Sequence, residues 1–226
     1  MKLFIDSANP EEIKKVADLG ILGGVTTNPT LIAKQLSAGG PTGKISDQKK
    51  ILSEICRIAP VDILAEPIST DYKNILQESM ELSKISHQIV AKIPITPDGL
   101  RAIKSLRERN IKTALTLIFS TAQALIAAVA GVDYICPFVG RLDAIKQHGL
   151  DLIRDIVATY RHYHFKTKIV VASVRNINHV TTSAQYGADA VTVPSKIIDE
   201  MLKHDLTTKG IQKFLEDWTK VSGGPK

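Results

Sequence analysis

Short apolar runs rich in β-branched residues alternate along this chain with longer stretches whose apolar positions recur every three or four residues. The short runs predict strands at residues 3–6, 25–28, 62–66, 89–93, 113–117, 134–139, 169–173 and 190–193. Helical patterns with readable boundaries lie between them. Asn9-Pro10-Glu11-Glu12 offers an N-cap, a proline at the first helical position and acids in the first turn, and Gly20 closes that helix. Thr96-Pro97-Asp98 opens another, with Leu100, Ile103 and Leu106 along one face. Leu152, Ile153, Ile156, Val157 and Tyr160 line a further one.

Eight strand–helix pairs within 226 residues suit an α/β fold, the (β/α)8 TIM barrel, which usually takes about 250 residues. A doubly wound open sheet shares this alternation, because strand order leaves no trace in sequence. No Gly/Ser/Pro linker divides the chain, so a single barrel domain over 1–226 is expected, with 206–226 as an additional C-terminal helix and tail. Ile211, Phe214, Leu215 and Trp218 form an apolar stripe on that helix, suited to docking on its own barrel or on a neighbour's. The stretch 37–47 is the least structured. Its Gly39-Gly40-Pro41-Thr42-Gly43-Lys44 invites a P-loop reading that fails, because Ala38 and Ile45 stand where glycine and Ser/Thr are required.

Composition narrows the class. Hydrophobic residues at 44% and charged residues at 23% are those of an ordinary globular protein and exclude a disordered chain. No apolar run approaches the roughly 20 residues that span a bilayer, so no membrane partner is expected. In Met1-Lys2-Leu3-Phe4-Ile5-Asp6 a carboxylate arrives too early for a signal peptide. Two cysteines, Cys56 and Cys136, make neither a disulfide framework nor a structural zinc site by themselves, and a reducing, cytoplasmic setting is expected. The net charge of +6 comes from bases scattered among acids, and aromatics are only 5%. Nucleic acid is therefore not an expected partner, whereas an anionic small substrate suits the balance.

Side chains of a barrel strand alternate between lumen and helix layer, and chemistry gathers at the C-terminal strand ends. The predicted ends are rich in polar groups: Asp6, then Thr26-Thr27-Asn28, Glu66, Lys92, Thr116, and Ser173 with Arg175 beyond it. In the fourth strand Ile89, Ala91 and Ile93 form the more apolar set, so Lys92 points inward with Val90. By the same parity Asp6 turns inward with Phe4, and Glu66 with Leu64. Each residue has a bland alternative. Lys92 could snorkel, Asp6 and Asn28 could cap turns, Glu66 could be a rim charge and Thr116 a plain β-former. Their coincidence is harder to dismiss, since each buried polar group without a partner costs about 1–3 kcal/mol.

Such a set suits carbonyl chemistry. An apolar wall disfavours the ammonium form of a lysine, and a neutral amine attacks a ketone to form a Schiff base that serves as an electron sink. A carboxylate, Asp6, then takes the proton from the departing aldehyde's hydroxyl. Glu66 and Thr116 suit the water of dehydration. Arg141 and Arg175, with Ser173, make a phosphate clamp, unless the arginines merely pair with a neighbour such as Asp143. His87, His148, His162, His164, His179 and His204 lie off the strand ends and read as surface or satisfied residues, so no metal is expected. A non-catalytic sugar-phosphate-binding barrel is the alternative from another class.

At these residues the chain resembles the small-subunit branch of the transaldolase family, which includes the fructose-6-phosphate aldolases, almost from Met1 to Trp218. The stretches that carry the resemblance are Phe4-Ile5-Asp6-Ser7-Ala8-Asn9, Gly24-Val25-Thr26-Thr27-Asn28-Pro29-Thr30-Leu31, Lys92-Ile93-Pro94, Pro137-Phe138-Val139-Gly140-Arg141-Leu142-Asp143 and Ala172-Ser173-Val174-Arg175-Asn176. The resemblance implies Lys92 as Schiff-base lysine, Asp6 as acid/base, Asn28 orienting the intermediate, and Glu66 with Thr116 handling water. Thr26, Phe138, Arg141, Ser173 and Arg175 are the implied substrate contacts. The implied reaction carries a dihydroxyacetone unit from sedoheptulose 7-phosphate to glyceraldehyde 3-phosphate, in the non-oxidative pentose phosphate pathway, without cofactor. The implied assembly is a decamer of two pentamers. Glu66 and Phe138 follow the transaldolase pattern, where the aldolases carry glutamine and tyrosine. One departure is Ala65-Glu66-Pro67-Ile68-Ser69, with alanine and proline where relatives tend to have valines.

Overall fold

In the computed structural model, which describes residues 1–39 and 45–222, eight parallel strands pair in sequence order and close on themselves. β1 (Lys2–Asp6) leads to α1 (Pro10–Asp18), β2 (Leu22–Thr26) to α2 (Pro29–Gly39) and α3 (Ile45–Ile58), β3 (Ile63–Ala65) to α4 (Tyr72–Ser83), and β4 (Ile89–Pro94) to α5 (Pro97–Arg107). β5 (Thr113–Ile118) leads to α6 (Thr121–Ala130), β6 (Tyr134–Pro137) to α7 (Val139–Ala144) and α8 (Gly149–His162), β7 (Lys168–Val171) to α9 (Ile177–Tyr186), and β8 (Ala190–Val193) to α10 (Ser195–Met201). The additional helix is α11 (Asp205–Ser222). Pairing of Lys2 with Ala190 through to Ile5 with Val193 closes the barrel, which removes the open-sheet alternative and every free edge.

The helix boundaries follow from local chemistry. Asn9 Oδ1 accepts the N–H of Glu11 at 2.8 Å, and Gly20, at φ +72°, donates to Ala17 O beyond the end of α1. Thr96 Oγ1 accepts the N–H of Gly99 at 3.0 Å and starts α5. Along α5, Ile103 and Leu106 are buried while Leu100 is only half-buried; all five apolar residues named on α8 are buried.

Strand parity divides the interior in two. Phe4, Leu64, Val90, Ala114, Tyr134, Cys136, Val170, Ala172 and Ala190 fill the lumen. Their alternates, such as Ile5, Ile63, Ile89, Ala91, Ile93 and Leu115, pack beneath the helices. At the lower end the Tyr134 hydroxyl donates to Asp62, which also pairs with Lys112 at 2.8 Å, so the lumen is closed there.

Several boundaries differ from those the pattern predicts. β2 begins at Leu22, not at 25, because Gly23-Gly24 belongs to the strand. A Cβ at Gly24 would lie 2.4 Å from the Phe4 ring, so the glycine makes room for a lumen aromatic. The ends predicted at Asn28, Glu66, Val139 and Ser173 lie beyond the regular strands, as loop residues or, for Val139, the start of α7. Leu117, with φ 59°, marks an irregularity where the β5–β6 register slips between Thr116 and Ile118. Instead of one loop over 37–47, α2 extends to Gly39 and α3 starts at Ile45; the core of the glycine-rich run, 40–44, lies outside the described residues. α11 does not bury its stripe on its own barrel: Phe214 is 73% and Leu215 63% exposed. Among the described residues no helix is long and apolar enough to cross a membrane.

Candidate active site

A cavity of about 140 Å³ at the upper ends of the strands is lined by Asp6, Thr26, Asn28, Lys92, Cys136, Phe138, Arg141, Ala172, Ser173 and Thr192. Seven of the ten sequence-predicted residues are among them. Lys92 is held on the inward face of β4, as its parity requires, and is 4% exposed. Its Nζ donates to the carbonyl of Thr27 and lies 3.2 Å from Oε2 of Glu66. Glu66 thus meets the amine from just beyond β3 without lining the cavity. Pro67 does not displace it: Gln48 donates to the Glu66 carbonyl at 3.0 Å, and the Glu78 carboxylate accepts the N–H groups of Ile68 and Ser69. Two neighbouring anchors therefore hold the rim that the proline interrupts.

Asp6 ends β1 and does not serve as a helix cap; Asn9 does that for α1. Its Oδ1 accepts the hydroxyl of Thr26 at 2.8 Å, and Thr26 Oγ1 lies 2.6 Å from that of Thr192. Burial pushes the Asp6 carboxyl above its ordinary range, opposed by the Lys92 charge and the Thr26 hydrogen bond. Burial likewise raises Glu66, against the pull of Lys92 and Arg141. Two proton-hungry carboxyls thus flank a single amine. Cys136, fully buried in the lumen, has its thiol pushed up to about 12 by the same desolvation, which keeps it neutral and chemically quiet.

Asn28 combines the bland and the functional placements: its Oδ1 caps α2 by accepting the N–H of Leu31 at 3.0 Å, and the residue still lines the cavity. Thr116 points inward on β5, buried, and its Oγ1 has no hydrogen-bond partner. An unsatisfied hydroxyl there costs about 1–3 kcal/mol unless a small polar molecule meets it. The Arg141 guanidinium lies 5.0 Å over the Phe138 ring. Arg175 is exposed and does not line the cavity; it runs beside Gly140, where a Cβ would approach its Nε to 2.8 Å. Neither arginine pairs with Asp143, which instead meets His179 Nε2 at 2.8 Å and the N–H of Gly149 at 2.9 Å.

Sequence reasoning missed Thr192, Cys136 and the Thr27 carbonyl. The first two share the inward parity of Ala190 and Tyr134 on their strands, so the signal was available but chemically unremarkable; a main-chain acceptor leaves no signal. Of the histidines, His179 is buried and paired, and the other five are exposed. Among the described residues no group of three His, Cys, Asp or Glu side chains is arranged to hold a metal ion.

The family model described as Transaldolase/Fructose-6-phosphate aldolase matches residues 3–224. A probable transaldolase of Thermodesulfovibrio yellowstonii is 48% identical over 221 residues, covering 98% of this chain and 99% of that protein. One of Clostridioides difficile is 50% identical over 222 residues, with 98% and 99% covered. The structure of FabK from Thermotoga maritima superposes with a TM-score of 0.57 at 14% identity, covering 87% of this chain. Only 58% of FabK is matched, and that likeness shows the fold alone.

Proposed function

Because the chain belongs to the transaldolase/fructose-6-phosphate aldolase family and is a transaldolase-type enzyme, we propose that it moves a dihydroxyacetone unit from sedoheptulose 7-phosphate to glyceraldehyde 3-phosphate, giving erythrose 4-phosphate and fructose 6-phosphate. The observation that carries this reading is the Lys92 amine, buried at the cavity with Glu66 3.2 Å away and Asp6 on the same wall.

The steps balance on these groups. Glu66, with its raised proton affinity, takes a proton from the Lys92 ammonium, and the free amine adds to the ketone carbon of the donor sugar. The carbinolamine loses hydroxide as water, the proton returning through Glu66 and a water on the unsatisfied Thr116 hydroxyl. The iminium then draws electrons from the bond between C3 and C4. Asp6 takes the C4 hydroxyl proton as that bond breaks and the aldehyde leaves. The retained three-carbon enamine attacks the acceptor aldehyde, Asp6 returns its proton to the new alkoxide, and water releases the product from Lys92. Asn28 is suited to hold a hydroxyl of the enamine. Arg141, with Ser173 and Arg175, supplies positive charge for the phosphate, and Thr26 orients Asp6. Phe138 leaves no hydroxyl beside the enamine. That favours waiting for an acceptor over protonation and release, and so favours transaldolase over simple aldol cleavage.

The open stripe of α11 supports assembly with further copies of the chain, a decamer of two pentamers being the size the resemblance implies. Two free thiols, Cys56 and Cys136, fit a reducing cytoplasm and a place in pentose phosphate metabolism. Borohydride reduction in the presence of fructose 6-phosphate tests the central step. A stable adduct on Lys92 is expected; no adduct would leave a sugar-phosphate-binding barrel as the better reading.

A further inference from the structure

The two segments that bear the arginines, α7 after β6 and the loop after β7, are stitched together by main-chain bonds and by one buried side chain. Val139 N–H donates to Ala172 O at 3.1 Å and Gly140 N–H to Ser173 O at 3.0 Å. A Cβ on Gly140 would lie 2.2 Å from that Ser173 oxygen, so the segments approach as closely as glycine allows. Beneath them sits His179, in the first turn of α9 and 4% exposed. Its Nε2 meets Asp143 Oδ2 at 2.8 Å, and its Nδ1 accepts the backbone N–H of Arg175 at 3.3 Å. The other Asp143 oxygen accepts the N–H of Gly149, which starts α8.

Counting hydrogens fixes the role of each ring nitrogen. A backbone N–H only donates, so Nδ1 carries no hydrogen; a carboxylate only accepts, so Nε2 carries it. One neutral imidazole thus spans from the main chain of Arg175 in the loop after β7 to Asp143 in α7, two residues beyond Arg141. Lysine and arginine offer no acceptor for the Arg175 N–H, and the shorter carboxamide of asparagine offers acceptor and donor without the span.

Resting on the sugar-phosphate reading above, we propose that His179 is a positioning residue for phosphate recognition: it sets the separation of the Arg141 helix, α7, and the Arg175 loop that a phosphate monoester dianion requires. It touches no substrate, and its effect therefore belongs to phosphate binding and not to bond cleavage.

The test is the concentration dependence of borohydride trapping on Lys92, with fructose 6-phosphate and with unphosphorylated dihydroxyacetone, together with turnover at saturation. H179A is expected to raise the half-saturating fructose 6-phosphate concentration about tenfold, the size of one lost hydrogen bond, and to change that for dihydroxyacetone less than about twofold. Turnover at saturation stays near that of the unaltered protein. H179N, whose side-chain oxygen replaces Nδ1 but does not reach Asp143, gives an intermediate ratio, and it carries the test if H179A does not fold. R175A is the control. If R175A discriminates between the two compounds and the His179 variants do not, the inference is overturned alone. If R175A does not discriminate either, the phosphate reading of the two segments falls, and the inference with it.

Discussion

Replacing Thr192 by valine tests how the charged form of Asp6 is supported. Thr192 is buried on the inward face of β8, 2.6 Å from the Thr26 hydroxyl oxygen. Thr26 has one hydroxyl hydrogen and spends it on Asp6 Oδ1 at 2.8 Å. At its contact with Thr192 it therefore accepts, and Thr192 donates. Successive hydrogen bonds polarise one another, so this chain strengthens the bond that reaches the carboxylate. Valine keeps the branched shape that suits β8 and deletes only the hydroxyl.

Two consequences have separate magnitudes. Thr26 loses a partner in a buried place, a cost of about 1–1.5 kcal/mol, which lowers Tm by about 2–4 °C per kcal/mol in a chain of this size. Asp6 loses part of its support while burial, the largest influence on it, is unchanged, so its proton is held more tightly. A base held protonated is inactive, so the acidic limb of kcat/KM moves to higher pH and the alkaline plateau is kept. The displacement stays below about one pH unit, because a whole unit needs about 1.4 kcal/mol, nearly all of the lost bond. A coupled assay of transfer between pH 5 and 9, with thermal unfolding alongside, measures both, and Thr192→Ser restores both. An acidic limb that stays put in a variant that has lost stability would refute the relay while leaving Thr192 a structural residue.

Lys92→Met should fold, since it trades a buried ammonium for an apolar chain of similar length, yet lose turnover by orders of magnitude and all borohydride trapping; residual trapping would remove the Schiff-base assignment. Glu66→Gln with Phe138→Tyr should shift the product ratio from transfer toward simple cleavage of fructose 6-phosphate, and an unchanged ratio would count against the subtype. Burial raises Asp6 in the folded state, so wild type loses stability relative to Asp6→Asn as pH climbs above the unfolded value of 3.8, while below it the difference between the two stays constant. Urea unfolding of both proteins across pH checks this, and parallel curves would contradict it. Light scattering should return a mass of several chains, with Phe214→Glu on α11 reducing it; a monomer would contradict the proposed assembly.

Much of the barrel was legible because two periods are hard to confuse. A strand under helices keeps its most apolar set outward, so the lysine in Ile89-Val90-Ala91-Lys92-Ile93 had one face left to occupy, and it occupies it. Asp6 and Thr116 are inward by the same rule. Glu66 reaches Lys92 as well, although the residue itself lies past the last strand pairing. What failed was at the ends. Gly23-Gly24 lies before the strand start that the pattern predicts, and only the Phe4 ring across the lumen explains why the strand needs glycine at 24. Leu117 and Ser173 take left-handed conformations that their residue types do not announce, and they bend β5 and the β7 loop beside the cavity.

The unread part of the site has a common physical cause. Lys92 draws on a carbonyl from Thr27, Asp6 on a hydroxyl relayed from Thr192 on the strand that closes the barrel, and the arginine segments on a histidine in α9. Thr27 and Thr192 are remote in sequence from the groups they support, and His179, though four residues from Arg175, is remote from the Asp143 it also meets; each is of an ordinary residue type. Reactive side chains can be recognised as a group, because burying several of them together is costly wherever they sit. A supporting one acquires its role only when closure of the sheet brings β8 beside β1 and packing brings α9 beneath the segments after β6 and β7. Substitutions at Thr192 and His179 should therefore alter pH dependence and phosphate preference while leaving the Lys92 adduct intact, a separation that substitutions at Glu66 cannot produce.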